Sequence, residues 1–285
     1  MKAVETISDI RKIVNKAGKA GKKIGFVPTM GALHDGHISL IKKSVKDGNF
    51  TVVSIFVNPT QFGPNEDLQK YPRPLKADLK ICKENKVDVV FIPTPEEMYG
   101  SGGLTWVNVE KLSQPLDGRF RPRHFRGVAT VCAKLFNIVC PDTAYFGQKD
   151  AQQAAIIKRM VADLNFPLKI TVCPTVREST GLALSSRNRY LSADEKKDAV
   201  SIYNLLMKAR ALIKAGLSNP KTIIAEMRKI ISNSNSLTGI DYISIVDLQT
   251  LEDVRRIKGK VLIAIAARFG STRLIDNLIV DSGKH

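Results

Sequence analysis

The feature that most constrains the fold is a regular alternation of short apolar runs and longer helical patterns over residues 1–175. Runs rich in β-branched and aromatic residues predict strands, and two of them end in Pro, which the end of a strand tolerates. The predicted strands are Ile24–Pro28, Thr51–Val57, Val87–Pro93, Ala144–Phe146 and Leu168–Cys173, and the predicted helices between them are His37–Lys46, Leu75–Asn85, Gly127–Val139 and Ala151–Asn165. Such alternation is typical of an α/β fold, a doubly wound parallel sheet that binds ligands beyond the carboxyl ends of its strands.

The pattern changes near Val176. The predicted elements there are helices at Ala193–Ala215 and Pro220–Ser232, followed by strands at Asp241–Val246, Val261–Ala267 and Arg273–Val280. Helices followed by a set of antiparallel strands indicate an α+β arrangement. We therefore expect a Rossmann-like doubly wound domain at residues 1–175 and a second, smaller α+β domain at residues 176–285 that closes over the ligand site.

The net charge of +17 raises the question of a nucleic-acid partner. The excess is spread evenly, at +10 over residues 1–175 and +7 over residues 176–285. An even spread favours a solvated surface first, anionic small-molecule substrates second and nucleic acid third.

The four cysteines, Cys82, Cys132, Cys140 and Cys173, form no C-x-x-C pair and have no disulfide-framework spacing. Buried reduced thiols fit this pattern best. The chain has no signal-peptide pattern at Met1 and no apolar run of membrane-spanning length. We therefore expect a cytoplasmic protein with no membrane partner.

The segment Pro28–His37 follows a predicted strand and begins a predicted helix. A helix N-terminus binds anions through its unpaired N–H groups, and Gly31 and Gly36 allow the backbone to approach a phosphate closely. His34 and His37 are placed to donate hydrogen bonds to phosphate oxygens. The sequence leaves two alternatives open, in which one histidine caps or packs, or the pair binds a metal ion.

Other nucleotide-binding patterns are absent, since the chain has neither a G-x-x-x-x-G-K-S/T loop nor a G-x-G-x-x-G after a strand. H-x-G-H is similar to the signature of the nucleotidyltransferase-like superfamily. The chain resembles the pantothenate synthetase family more specifically through an ordered set of segments: Pro28–His37, Val57–Phe62, Tyr71–Arg73, His124–Val128, Phe146–Gln153, Leu182–Asn188 and Thr272–Asn277.

This resemblance implies an ATP- and Mg²⁺-dependent enzyme that condenses pantoate with β-alanine to pantothenate, a step towards coenzyme A, through a pantoyl adenylate. It implies catalytic roles for His34, His37, Lys149 and Arg187. It also implies a homodimer. The implied pantoate-binding residues are Met30, Gln61 and Gln153, and the implied ATP-binding residues are Met30, His37, Gly147, Lys149, Asp150, Val176, Leu184, Ser185, Ser186 and Arg187.

From the residues alone, each polar member of these sets also has an ordinary interpretation. Lys149 and Arg187 fit surface charges, the two serines fit caps, Asp150 fits a helix N-cap and Asp78 fits a solvated carboxylate. The resemblance instead makes Asp78 a contact of Mg²⁺, which takes few protein ligands when phosphates are present.

Two further features bear on this interpretation. The basic stretch that contains Arg121 and His124 is short, so a loop that lines an anionic-substrate cleft is a more economical explanation than nucleic acid. Thr180 stands where the family has Asp, which removes any electrostatic role of that carboxylate. A nucleotidylyltransferase, which leaves the nucleotide on its product, and a basic nucleic-acid-binding protein are the two alternatives.

Overall fold

A computed structural model gives the fold and describes residues 1–64 and 66–283. The terminal His285 lies outside the described residues. The first sheet has six parallel strands in the order β1-β4-β3-β2-β5-β6. They are β1 Lys2–Val4, β2 Ile24–Thr29, β3 Phe50–Ile55, β4 Val89–Phe91, β5 Thr143–Gly147 and β6 Lys169–Cys173. The doubly wound parallel sheet is therefore confirmed.

Helices cover both faces of this sheet. They are α1 Ile7–Lys19, α2 Asp35–Lys46, α3 Leu75–Glu84, α4 Pro95–Tyr99, α5 Asp117–Phe120, α6 His124–Val139 and α7 Ala151–Asp163. Successive strand residues point to opposite faces, and each face is buried. Phe26 packs with Phe136 and Phe146 in one core cluster, whereas Val27 packs with Ile41 and Tyr145 in another.

The strand order reverses beside β2, because the chain runs from β2 to β3 and β4 on one side and returns to β5 and β6 on the other. In open α/β sheets the ligand crevice lies at such a reversal, outside the carboxyl ends of the strands. Thr29 ends β2 and Gly147 ends β5. The segments that follow these two residues therefore lie next to the predicted crevice.

The second sheet contains three antiparallel strands, β7 Leu237–Asp247, β8 Lys260–Phe269 and β9 Thr272–Asp281, in that order. Three helices precede it, α8 Ala193–Ala199, α9 Ser201–Lys214 and α10 Pro220–Ile231, and their apolar faces share a core with it. The predicted single helix at Ala193–Ala215 is wrong. The chain turns at Val200, whose N–H bonds back three residues to the Lys197 carbonyl rather than four.

Residues of the two sheets share one hydrophobic core cluster. Val246 and Leu262, from β7 and β8, lie in the same core cluster as Phe26 of the first sheet. The division at residue 175 stays a prediction. Within the described residues, no helix combines the length and the apolar character needed to cross a membrane.

Candidate active site

The two histidines of the H-x-G-H segment stand at the N-terminus of α2 and contact each other, with ring centroids 4.2 Å apart. His34 is the N-cap, and its Nδ1 accepts a hydrogen bond from the N–H of Gly36 at 3.1 Å. The N–H of His34 donates in turn to Nδ1 of His37 at 3.4 Å. Since both Nδ1 atoms accept, the proton of each neutral ring is on Nε2, which leaves one N–H donor on each imidazole.

The surroundings keep both rings neutral. Burial, helped by the Lys149 ammonium, lowers the pKa of His34 to about 4. Burial, helped by the neighbouring His34, lowers the pKa of His37 to about 3. The capping alternative for His34 is thus correct, and Nε2–H makes no hydrogen bond to any other residue that the structure describes.

The loop that leads to α2 is fixed by Asp78, which lies on α3 and is 1% exposed. Its two carboxylate oxygens accept hydrogen bonds from the N–H groups of Ala32 at 2.9 Å and Leu33 at 2.8 Å. Gly31 has a φ of +81°, and a Cβ there would lie 2.9 Å from the same carboxylate. The solvated interpretation of Asp78 is therefore wrong, because it shares the buried face of α3 with Cys82, one turn away.

Gln61 lies in a single 3₁₀ turn, Pro59–Gln61, and its side chain is buried. Its Nε2 lies 3.1 Å from Met30 Sδ, and its Oε1 accepts from the amide of Asn58 at 3.1 Å. The backbone carbonyl of Gln61 accepts from Nδ1 of His124 at 2.8 Å. The predicted neighbours Met30 and Gln61 are therefore in contact.

The basic stretch around Arg121 folds back onto the loop that carries Glu66. Arg121 makes a two-pronged ion pair with Glu66 at 2.8 and 2.6 Å. It also lies 3.0 Å from Nε2 of His124. Burial, and then the Arg121 charge, lower the pKa of His124 to about 4. Arg121 and His124 are therefore paired and at least partly buried, whereas Arg119 and Arg123 of the same stretch are exposed.

A cavity lies between α6, the start of α7 and the second sheet, and Arg121, His124, Lys149, Gln153 and Asn277 are among the residues that line it. Gln153 has no side-chain hydrogen bond to any other residue that the structure describes. Its neighbour Gln152 is buried and bonds to the carbonyls of Leu112 and Pro115. Consecutive glutamines on one helix thus have different surroundings, which the sequence does not distinguish.

Lys149 and Asp150 follow the end of β5. The Lys149 ammonium lies 3.4 Å from the Asp150 carboxylate. Burial opposes ionisation of Asp150, but the Lys149 and Arg187 charges outweigh it and hold its pKa below the ordinary value. Asp150 occupies the N-cap position of α7 without a capping hydrogen bond from its side chain. At Gly147 a Cβ would meet open space, so the backbone there is accessible to a ligand.

The segment Leu184–Arg187 faces the same region. The N–H of Leu184 donates to the Val176 carbonyl at 3.0 Å. Ser185 caps a 3₁₀ turn that starts at Ser186, so the capping interpretation holds for Ser185. Arg187 is partly buried and pairs with Asp67 at 3.0 Å, not with solvent. Thr180, in contrast, is exposed in a turn.

These residues form one electrostatic cluster, since the charges of Lys149 and Asp150 act on both imidazoles and Arg187 acts on Asp150. Among the residues that the structure describes, no group of three or more His, Cys, Asp or Glu side chains is arranged to hold a metal ion. The metal-pair alternative for His34 and His37 is therefore unsupported.

The sequence model of the family described as pantoate–β-alanine ligase matches residues 2–279. This chain belongs to the pantoate–β-alanine ligase family. It is 54% identical to the pantothenate synthetase of Acetivibrio thermocellus over 281 residues, which is 99% of this chain and 100% of that one. The identity to the pantothenate synthetase of Sulfurihydrogenibium sp. is 50% over 278 residues, 98% of this chain and 99% of that one.

Solved structures of the ligase family have the same fold. The pantothenate synthetase of Thermus thermophilus superposes with a TM-score of 0.93 at 42% identity, covering 98% of this chain and 99% of that chain. The ligase of Francisella tularensis, in a complex with β-γ ATP and β-alanine, superposes with a TM-score of 0.81 at 36% identity, covering 100% of this chain and 99% of that chain. The expected Rossmann-like α/β fold and ligase class are confirmed.

Proposed function

We propose that this ligase condenses pantoate with β-alanine to pantothenate through a pantoyl adenylate, with release of AMP and pyrophosphate. Family membership and the ATP and β-alanine complex of the Francisella tularensis relative support the substrates. The observation that carries the mechanism is the pair of neutral imidazoles at the N-terminus of α2, each of which has its proton on Nε2. This is the arrangement that an α-phosphate under attack requires.

In the first step a pantoate carboxylate oxygen bonds to the α-phosphorus of ATP, and the bond to the β-phosphate oxygen breaks. His34 and His37 donate to the phosphate oxygens as charge develops there. Lys149, Arg187, Ser185 and Ser186 hold the β- and γ-phosphates that leave as pyrophosphate. Met30, Gln61 and Gln153 orient pantoate, since neutral amides both donate to a carboxylate and pair with hydroxyls.

The remaining predicted contacts orient the nucleoside. Asp150 accepts from the ribose hydroxyls, the Gly147 backbone lies beside the sugar, and Val176 and Leu184 pack against adenine. Their positions after β5 and in the hairpin before the 3₁₀ turn support this assignment. In the second step the β-alanine nitrogen bonds to the acyl carbon and AMP leaves, so no side chain becomes covalently attached.

The chemistry that a Mg²⁺ ion bound with ATP would supply is neutralisation of phosphate charge. Among the described residues no carboxylate cluster is available for it. Both oxygens of Asp78, the predicted metal contact, accept backbone N–H bonds. Each of these oxygens keeps a second lone pair, so Asp78 holds the loop before His34 and would also be available as a contact of the Mg²⁺ that ATP carries.

We propose a homodimer that binds neither nucleic acid nor membrane and works in the cytoplasm. Four free cysteines support a reducing compartment, although Cys140 is exposed, which corrects the expectation that all four are buried. The segment at residues 102–109, which has no helix or strand, supports self-association, because Leu104 is 97% exposed and Trp106 is 40% exposed. Light scattering on the wild type and on Leu104→Asp tests whether this segment forms the interface.

An isotope-exchange assay tests the two-step reaction. Labelled pyrophosphate should enter ATP when pantoate and Mg²⁺ are present and β-alanine is absent, because the adenylate forms reversibly. Addition of β-alanine should then release AMP and an amide. No pantoate-dependent exchange, or a final product that retains AMP, would overturn the amide-ligase mechanism and favour a nucleotidylyltransferase.

A further inference from the structure

Two buried polar residues of the second sheet, Asp276 and Asn277, lie on β9 and line the cavity beside Lys149. They belong to the segment Thr272–Asn277, which carries part of the family resemblance. In the structure each is hydrogen-bonded to a different part of the proposed phosphate-binding site. They are therefore candidates for a role in the reaction itself.

Asn277 bonds to the turn that carries Lys149. Its Nδ2 donates to the backbone carbonyls of Gln148 at 3.0 Å and Lys149 at 2.7 Å. Its Oδ1 accepts from Nε2 of Gln148 at 2.9 Å. Both N–H donors of the amide are used, so Asn277 has none left for a substrate.

The turn itself is short and has little other support. It is a single 3₁₀ turn, Gln148–Asp150, with no side-chain cap at Gly147. The next helix, α7, also begins without a side-chain cap. Two hydrogen bonds from Asn277, which lies 128 residues further along the chain than Lys149, therefore fix where the Lys149 side chain starts.

Asp276 bonds to a different segment, the one that contains Arg177 and leads to Ser185. It accepts two bonds from Arg177, at 2.5 and 3.0 Å, and is itself 3% exposed. Arg177 also donates to the Gly181 carbonyl at 3.1 Å, and its guanidinium lies 4.9 Å from the Tyr203 ring centroid. These contacts support the isolated antiparallel β-bridge that pairs residue 177 with residue 183, directly before Leu184.

We propose that Asp276 and Asn277 are positioning residues for adenylation. Asn277 holds the Lys149 turn, and Asp276, through Arg177, holds the segment that carries Ser185 and Arg187. The pair thereby fixes the distance between the two groups that bind the leaving pyrophosphate. This inference rests on the proposed function, since it concerns the same phosphates.

The test compares Asn277→Ala and the isosteric Asn277→Asp with Leu278→Ala, the neighbouring residue on β9 that packs into the second core. A displacement of about 1 Å in a reacting group costs about a hundredfold in rate. We expect both Asn277 variants to slow pantoate-dependent pyrophosphate exchange about ten- to a hundredfold and to raise the KM for ATP, with the KM for pantoate changed less than about twofold. Asn277→Asp should be the slower, because its carboxylate faces two carbonyl oxygens.

All rates are measured below the melting midpoint of every variant, so that unfolding does not enter. Leu278→Ala should melt earlier but keep the wild-type KM for ATP. Gln148→Ala removes only the bond to Asn277 Oδ1 and should stay within about threefold of wild type. Asn277 variants that match Leu278→Ala in exchange rate and in KM for ATP would overturn the inference. Absence of exchange in the wild type would instead overturn the proposed function.

Discussion

One imidazole, that of His34, makes a structural bond on one side and presents a donor on the other. Nδ1 caps α2 through the N–H of Gly36, and Nε2 carries the proton of the neutral ring. Replacement by Ala would remove both functions at once. A cap lost to Ala costs about 1 kcal/mol of stability, which would obscure a catalytic effect.

The substitution His34→Asn separates the two functions. Asn is a strong N-cap, so the free energy of unfolding should stay within about 1 kcal/mol of wild type. Its amide does not reach the position of Nε2, so turnover should fall about a hundredfold, as for other lost transition-state donors. Thermal melting and the rate at saturating substrates measure the two effects.

The control is His34→Ala, which should be equally slow but should melt earlier. Wild-type turnover in His34→Asn would show that the ring acts only as a cap. An equal loss of stability in both variants would show that the Asn side chain does not replace the cap.

The site residues whose own side chains are proposed to contact the substrates could be predicted from the sequence. The H-x-G-H segment follows a strand and begins a helix, so its placement at the sheet edge follows from sequence order. Asp78 and Asn277 were not predictable in this way. Each bonds to backbone groups that only the folded chain brings within reach, 45 residues away for Leu33 and 128 for Lys149.

At the level of elements, the 3₁₀ turn that carries Gln61 packs closely against α6. This packing is possible because Gly127 of α6 has no side chain. A Cβ on Gly127 of α6 would clash with the carbonyl oxygen of Thr60 and would lie 2.8 Å from Cα of Gln61. Both atoms belong to the backbone, so the clash would move the turn rather than a flexible side chain.

Gly127→Ala should therefore misplace Gln61. We expect the KM for pantoate to rise about tenfold or more with a smaller change in the KM for ATP, together with a lower melting temperature. The matched control is Gly18→Ala in α1, where a Cβ meets nothing within 4 Å. The free energy of unfolding of that variant should rise by up to about 1 kcal/mol, as it does for other Gly-to-Ala changes in helices. An unchanged KM for pantoate in Gly127→Ala would contradict this account of the packing.

Element order was largely predictable, because apolar strands and amphipathic helices are visible in the local sequence pattern. The three-residue β1 was missed because Lys2 and Ala3 are exposed and the strand exists only through its pairing with β4. The break at Val200 was missed because the helical pattern continues through it. Tertiary packing decides both features, and a local pattern does not contain it.

At the scale of the whole molecule, an ion-pair network connects the second sheet to helix α5. Arg273 of β9 pairs with Asp117 of α5 and with Asp241 of β7, both at 2.6 Å. The residues that line the cavity come from both sides of this network. Protonation of groups near the cavity should therefore affect the stability of the entire chain.

Three histidines near the cavity make stability depend on pH in a defined window. His34, His37 and His124 have pKa values of about 4, 3 and 4 in the folded chain, below the ordinary 6.5. As pH falls below 6.5 the unfolded chain takes up protons that the folded chain does not. The free energy of unfolding should therefore fall as the pH drops below 6.5, and the imidazoles account for this fall above about pH 5.5, because carboxylates titrate mainly below that pH.

Urea unfolding at intervals between pH 7 and 4.5 measures this slope, and His34→Asn should reduce it because one of the three rings is gone. Asp142→Asn is the control, since it removes a carboxylate whose pKa is lowered, despite burial, chiefly by Lys23. That carboxylate takes up its proton at more acid pH than the imidazoles do, so its removal should leave the slope between pH 7 and about 5.5 as in wild type. A wild-type stability that is constant between pH 6.5 and 5.5 would show that the imidazoles take up protons as readily in the folded chain as in the unfolded chain, and it would contradict the lowered pKa values of the buried rings.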